Sequence, residues 1–231
     1  MPTHLVTGAG SGIGAAVAQK LHERGDDLVL LARNDERANA LHEQFPRART
    51  IAADLADVDA IDGIGGLPER LDSLLHVAGV VELAPVAELS THDLREQLDV
   101  NLASPALLTR ACLPALRAAH GTVIFVNSAA GLAAGATWAA YAASKFGLRA
   151  LADSLRAEEQ ENGVRVTTLF PSRTATPMQE KVHEQEGRTY DSSRWINPET
   201  VAATLLHVLD LPTDATIPEV TVRPLVPWTP R

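Results

Sequence analysis

The first twenty-five residues restrict the fold more than any other stretch of the chain. Residues 3–7 form a short apolar run that ends on Gly8-Ala9-Gly10-Ser11-Gly12-Ile13-Gly14. Apolar residues then recur at Ile13, Val17 and Leu21, a helical spacing that stops at Gly25, where a terminating glycine belongs. A strand that runs through a glycine turn into the amino terminus of a helix is a cradle for phosphate. Glycines let the backbone come close to the anion, and the free N–H groups and helix dipole attract its charge. The spacing G-x-x-x-G-x-G from Gly8 differs from the more familiar dinucleotide pattern G-x-G-x-x-G. Its strand–turn–helix setting nonetheless predicts a dinucleotide cofactor held by Gly8, Ser11, Gly12, Ile13 and Gly14.

The rest of the chain repeats the alternation. Apolar strands are expected at 27–31, 49–53, 72–77, 122–126, 164–170 and 219–222. Long helical patterns lie at 91–119 and 139–161, and a further helix starts at Pro198. Residues 57–70, broken by Gly63, Gly65, Gly66 and Pro68, have room only for a short helix. Strand alternating with helix implies an α/β fold with a doubly wound parallel sheet. At 231 residues and 45% hydrophobic content the chain suits one domain, 1–231. Ligands of such sheets sit at the carboxyl ends of the strands. The polar stretch 177–195 reads as a mobile substrate lid, and 224–231 as an extended surface tail.

Two strand ends carry cofactor signals. An acid at the end of the second strand bonds a ribose 2′-hydroxyl, whereas an arginine accommodates a 2′-phosphate. Here the residues are Ala32 and Arg33, while Asn34 has the character of a helix cap and Asp35 and Glu36 that of first-turn charges. Arg33 is therefore the expected ligand, and NADP(H) the preferred cofactor, with NAD(H) possible. Asp54 and Leu55 end the third strand where an adenine ring would lie, and the small Ala78-Gly79 pair ends the fourth.

The chemistry concentrates between Asn127 and Lys145. The fifth strand delivers Ser128 at its carboxyl end, and a helix then presents Tyr141 and Lys145, four residues apart on one face. A free phenol, with a pKa of about 10, is a poor acid–base catalyst at neutral pH. A neighbouring ammonium is expected to draw that value down. Ser128 could hydrogen-bond the same substrate oxygen. Tyr-x-x-x-Lys alone is a common accident; the serine and the amino-terminal glycine loop remove the coincidence. In the preceding helix, Pro105 has no N–H for the carbonyl of Asn101, which predicts a kink that frees this carbonyl to hold a water.

At this point the chain resembles the short-chain dehydrogenase/reductase family, in its compact single-domain, Rossmann-like branch. Thr7-Gly8-Ala9-Gly10-Ser11-Gly12-Ile13-Gly14 resembles the family's cofactor motif and Tyr141-Ala-Ala-Ser-Lys145 its active-site motif. The resemblance covers essentially the whole chain. It implies a catalytic tetrad of Asn101, Ser128, Tyr141 and Lys145, with Tyr141 as acid or base and Ser128 orienting the substrate oxygen. Lys145 would hold the nicotinamide ribose and Asn101 a relay water. It also implies adenosine contacts at Asp54, Ala78 and Gly79, and contacts to the nicotinamide end from Pro171, Thr174 and Thr176. The expected activity interconverts a secondary alcohol and a ketone or related carbonyl.

Three departures stand out. His76-Val77-Ala78-Gly79 replaces Asn-Asn-Ala-Gly, removing an amide that steadies the sheet near the cofactor; Pro171-Ser172 replaces Pro-Gly; and Ser11 stands where NADP-preferring members often carry a basic residue. The rival reading is a non-catalytic, redox-sensing dinucleotide binder on the same fold. Retention of both Tyr141 and Lys145 argues against it. An extended-branch sugar-nucleotide epimerase is disfavoured by the glycine spacing and the length.

The remaining composition narrows partners. A net charge of −9 opposes nucleic-acid binding, which needs a clustered basic face. The single cysteine, Cys112, excludes an internal disulfide, and the eight histidines have no metal-ligand spacing. No apolar run is long enough for a membrane, and a strand beginning at Thr3 leaves no room for a signal peptide, so a cytoplasmic protein is expected. By the resemblance, the chain pairs through the helices at 91–119 and 139–161 into a homodimer or homotetramer. The apolar faces assigned to that contact are Leu107, Ala111, Ala115 and Leu148, Leu151, Leu155.

Overall fold

Alternating apolar residues on each strand split the interior into two layers, one on each face of a central sheet. In β2 (Asp27–Ala32), Leu28, Leu30 and Ala32 join one core cluster, whereas Val29 and Leu31 join the other. This is the period-two consequence of strand geometry. The first layer is covered by α1 (Gly12–Arg24), α2 (Asp35–Gln44) and α7 (Pro198–Leu209). The second is covered by α4 (Ser104–Ala119) and α5 (Ala139–Glu159). Burying a side chain such as Leu5, Leu30 or Leu74 contributes roughly 1.5–3 kcal/mol.

The structure is a computed structural model and describes residues 1–225. The remaining strands are β1 (Thr3–Thr7), β3 (Arg49–Ala52), β4 (Ser73–His76), β5 (Thr122–Val126), β6 (Arg165–Pro171) and β7 (Glu219–Val222). They pair in parallel throughout, in the order β3-β2-β1-β4-β5-β6-β7. This is the expected doubly wound sheet in a single Rossmann-like domain. Helices α3 (Thr91–Leu98) and α6 (Pro177–Gln185) complete the described elements of helical length.

The local signals behave as their chemistry requires. Gly25 ends α1 with φ of 84°, and Asn34 caps α2 by accepting from the N–H of Arg37 at 3.0 Å. Ser90 caps α3, accepting from the N–H of Asp93 at 3.0 Å. Two expectations change. The single helix at 91–119 is two helices, α3 and α4, joined by a π-helical turn, Asp99–Ala103, so the interruption before Pro105 is a widened turn. Residues 177–185 of the expected lid form helix α6, with Val182 and His183 buried. The expected tail lies outside the described residues beyond Leu225. No helix among the described residues is long and apolar enough to cross a membrane.

Candidate active site

β1 and β4 are neighbours, and the connections that leave them run to opposite halves of the sheet, so a crevice opens between their carboxyl ends. The turn after β1 lies directly against the turn after β4. A Cβ on Gly8, whose φ is +74°, would sit 2.8 Å from the Cα of Ala78, and one on Gly14 would sit 2.1 Å from the carbonyl oxygen of Gly8. Only glycine fits either position. Thr7 locks the two turns together: its Oγ1 accepts from the N–H groups of Val77 and Ala78 at 3.0 and 3.1 Å. Ser11 holds the cap position of α1 without a side-chain hydrogen bond, which leaves the first N–H groups of that helix available to an anion.

These turns form the middle of a cleft of about 980 Å³. Gly8, Ser11, Gly12, Ile13, Gly14, Ala78 and Gly79 line its centre. Arg33, Asp54 and Leu55 line it from β2 and β3, and Ser128, Tyr141, Lys145, Pro171, Thr174 and Thr176 from β5, α5 and β6. The sequence had singled out all of these. Asn101 is the exception, for it is fully buried behind the wall. Its carboxamide clamps the strand-end segment, accepting from the N–H of Val80 and donating to the Val80 carbonyl, both at 2.9 Å. It also donates to Ser144 Oγ at 3.1 Å, tying the π turn to α5 beside Tyr141.

The reacting end is dry. Tyr141 and Lys145 are 6% and 3% exposed. Lys145 donates from Nζ to the carbonyl of Val126 at 3.2 Å, and Nζ stands 5.8 Å from the centre of the tyrosine ring. Burial pushes the lysine down to about 8. The expectation that the lysine draws the phenol down is corrected here: burial raises Tyr141 above its ordinary value, and a hydrogen bond with Ser128 is the opposing influence. Asn127 fixes the approach of β5, donating from Nδ2 to the Lys145 carbonyl at 2.9 Å and accepting from the N–H of Ser128 at 2.8 Å. Trp138 stands edge-on to Tyr141 at 5.7 Å, following Thr137, which is held at φ of 69°. A β-branched residue in that region stores strain of order 1–3 kcal/mol.

The family model for short chain dehydrogenases matches residues 2–187. The chain belongs to the short-chain dehydrogenase family. An uncharacterized oxidoreductase of Staphylococcus epidermidis is 30% identical over 229 residues, covering 96% of each chain. Among solved structures, the closed form of a serine dehydrogenase complexed with NADP+ matches with a TM-score of 0.86 and 25% identity over 96% of this chain and 95% of its own. A short chain dehydrogenase from Escherichia coli CFT073 complexed with NADPH matches with a TM-score of 0.84 and 28% identity over 96% and 97%.

In this short-chain dehydrogenase the departures from the family pattern are accommodated locally. His76 makes the missing brace by another route, bonding Thr109 Oγ1 through Nε2 at 2.9 Å and stacking on Phe125 at 4.9 Å. Burial first, and Lys145 second, push it down to about 3, so it stays neutral beside the ammonium. Ser172 donates its N–H to the Val222 carbonyl at 2.8 Å, extending the pairing of β6 with β7. Arg37 and Arg173 also line the cleft and were not singled out from the sequence; the four-residue separation of Arg33 and Arg37 was the available signal. Trp195, 8% exposed, reaches the cleft from the segment expected to be the lid.

Proposed function

We propose that this chain is an NADP(H)-dependent oxidoreductase that interconverts a secondary alcohol and a ketone, with Tyr141 as the acid or base. The observation that carries the proposal is the convergence of Ser128, Tyr141 and Lys145 on the same cleft as an uncapped helix terminus and two arginines. The cofactor suits the residues present. The N–H groups of α1 would receive its pyrophosphate, and among the described residues neither the Arg33 nor the Arg37 guanidinium forms an ion pair that would compete for a 2′-phosphate. Both solved relatives named above were complexed with NADP+ or NADPH, which supports the same choice. When bound, the nicotinamide supplies the hydride.

The residues divide the remaining work. Tyr141, whose pKa burial raises above the ordinary phenol value, gives its proton to the carbonyl oxygen in reduction and recovers it in oxidation. Ser128 donates to the same oxygen and holds it against the phenol. Lys145 brings a positive charge below about pH 8 and steadies the phenolate left after proton transfer. Asn101 keeps the 79–81 turn and Ser144 in register, and the residues 177–195 act as the substrate lid. A homodimer or homotetramer is the assembly we assign.

Titration with NADPH and NADH, followed by fluorescence of the reduced nicotinamide, is the test. NADPH is expected to bind more tightly, with Arg33→Asp weakening it by about 10–100-fold, the size of a lost charge-assisted contact. Tyr141→Phe should keep that binding and lose about 10²–10⁴-fold in kcat on a carbonyl substrate. Full activity in Tyr141→Phe would exclude the acid–base role.

A further inference from the structure

A backbone bridge joins the two loops that flank Tyr141, and a strained residue makes it. Gly135, Ala136, Thr137 and Trp138 form a tight turn in which the N–H of Trp138 donates to the Gly135 carbonyl at 3.3 Å. Thr137, third in the turn, is left-handed with φ of 69°. Turns of this hand take Gly or Asn at that position, and a β-branched residue is the costliest choice. Among the described residues one other non-glycine has a positive φ, His120, and it ends α4 in the ordinary way. Thr137 ends no helix; α5 begins two residues later. Its conformation is rewarded across the cleft, where the N–H of Ala84 donates to the Thr137 carbonyl at 3.0 Å. The two loops differ in firmness. The 80–84 segment is braced from behind, by Asn101 at Val80 and by Gln97 at Glu82. Residues 133–137 are exposed, so the bridge ties an open loop to a held one. Leu83 precedes the donor and Trp138 follows the acceptor, and both pack with Val81, Ala130 and Val182 around Tyr141.

We infer that Thr137 is a specificity-determining positioning residue: its left-handed turn aims its carbonyl at Ala84, and this bridge sets the width of the substrate end and so the size of ketone the enzyme accepts. The inference rests on the carbonyl-reductase reading given above and deepens it. Thr137 touches no reacting atom; it acts through Trp138 on one side and the Val81–Leu83 wall on the other. Trp138 stands three residues before Tyr141, on the same side of the helix start, and meets its ring edge-on at 5.7 Å. Moving residue 137 to a negative φ reorients the peptide between 137 and 138, takes the carbonyl from Ala84 and lets the loop carry Trp138 outward. Strain kept at a position that Gly or Asn would relieve is the mark of a conformation held for use.

The experiment measures kcat/KM for acetophenone and for the broader 2-acetylnaphthalene, with NADPH as reductant, in the wild type and two variants. Thr137→Pro fixes φ at about −65° and forbids the left-handed turn. Its ratio of the two values is expected to move toward 2-acetylnaphthalene by at least about tenfold, chiefly through KM, the scale on which an apolar pocket discriminates by size. Thr137→Asn, a residue that enters the left-handed region readily, should keep the wild-type ratio within about twofold and raise the melting temperature by about 2–4 °C. A purely structural role would lower the melting temperature of Thr137→Pro and leave the ratio alone. An unchanged ratio in a folded, NADPH-binding Thr137→Pro therefore overturns the inference. A shifted ratio in Thr137→Asn also overturns it, because the effect would then belong to the threonine side chain. Hydrogen exchange at the Ala84 amide of the wild type needs no variant to fold: slow exchange supports the bridge, and exchange as fast as in an open loop refutes it. The wild-type rates separate this inference from the reading beneath it. If NADPH binds and no ketone of a broad panel is reduced, the reductase reading itself falls and takes the inference with it.

Discussion

At the scale of single residues, the cofactor turn is governed by where a methyl group can and cannot stand. Gly10, in the turn after β1, and Gly14, in the first turn of α1, look equivalent in sequence, yet their surroundings differ completely. A Cβ on Gly14 would meet the Gly8 carbonyl oxygen at 2.1 Å and its carbon at 2.6 Å, both backbone atoms that cannot swing aside. A Cβ on Gly10 meets nothing within 4 Å. Gly14→Ala must therefore push α1 away from β1, at a cost in the overpacking range of about 1–3 kcal/mol or more, and displace the N–H groups meant for phosphate. We expect Gly14→Ala to lower the melting temperature and abolish measurable NADPH binding, and Gly10→Ala to change the affinity by less than about fivefold. Equal losses in the two variants, measured by nicotinamide fluorescence, would mean that the turn tolerates movement and that glycine there serves only flexibility.

At the scale of elements, α6 is fastened to the far wall of the cleft by a small set of polar contacts. Glu82, in the segment after β4, accepts from Lys181 Nζ at 2.7 Å and from Gln185 Nε2, while Gln185 Oε1 accepts from the N–H of Leu83 at 3.2 Å. Gln97, fully buried, holds residue 82 from behind through both its backbone groups at 3.1 Å. Lys181 is half exposed, so Glu82→Ala should cost the whole protein no more than about 1 kcal/mol. Its effect belongs to the helix: faster hydrogen exchange across 177–185 and a several-fold higher KM for the ketone, with little change in the affinity for NADPH. Unchanged exchange in α6 would show that Val182 and Met178 hold it without the latch. The same helix illustrates what the chain reveals by inspection and what it hides. Its start was legible, since Thr176 is an N-cap followed by Pro177 at the first turn, and its polar composition masked that signal. The strands and the Tyr141–Lys145 spacing were legible because each is decided within a few residues. The π turn was not, because Asn101 selects it through partners 21 and 43 residues away. Neither was the pairing of Arg173 with Glu186, which depends on how α6 returns to the sheet. The brace made by His76 likewise needs Thr109, 33 residues further on, to be visible.

At the scale of the whole molecule, the remaining question is what covers the outer faces of α4 and α5. The six apolar residues assigned to that contact from sequence divide in the structure: Ala115, Leu148 and Leu155 are buried in the chain's own core, at 7%, 2% and 5% exposure. Leu107, Ala111 and Leu151 stay partly open to solvent, and Phe146 on α5 is 43% exposed. The residues at 107 and 111 lie one helical turn apart and present a continuous apolar strip. A large aromatic ring left this open loses favourable burial, and a second copy of the chain laid against the same helices restores it on both sides at once. A stable pairing removes about 800 Å² from each partner, an area that two helices of 16 and 21 residues can supply. In the assembly proposed above, Phe146→Glu would put a charge into the contact on both chains, and like charges facing one another across a twofold axis repel. Light scattering at micromolar concentration is expected to give the mass of at least two chains for the wild type and of one chain for Phe146→Glu. Because Lys145 points inward next to this residue, the variant's NADPH affinity separates loss of pairing from damage to the cleft. A wild-type mass of one chain would leave Phe146 an isolated surface ring, and the assembly assigned to the outer helices would be wrong.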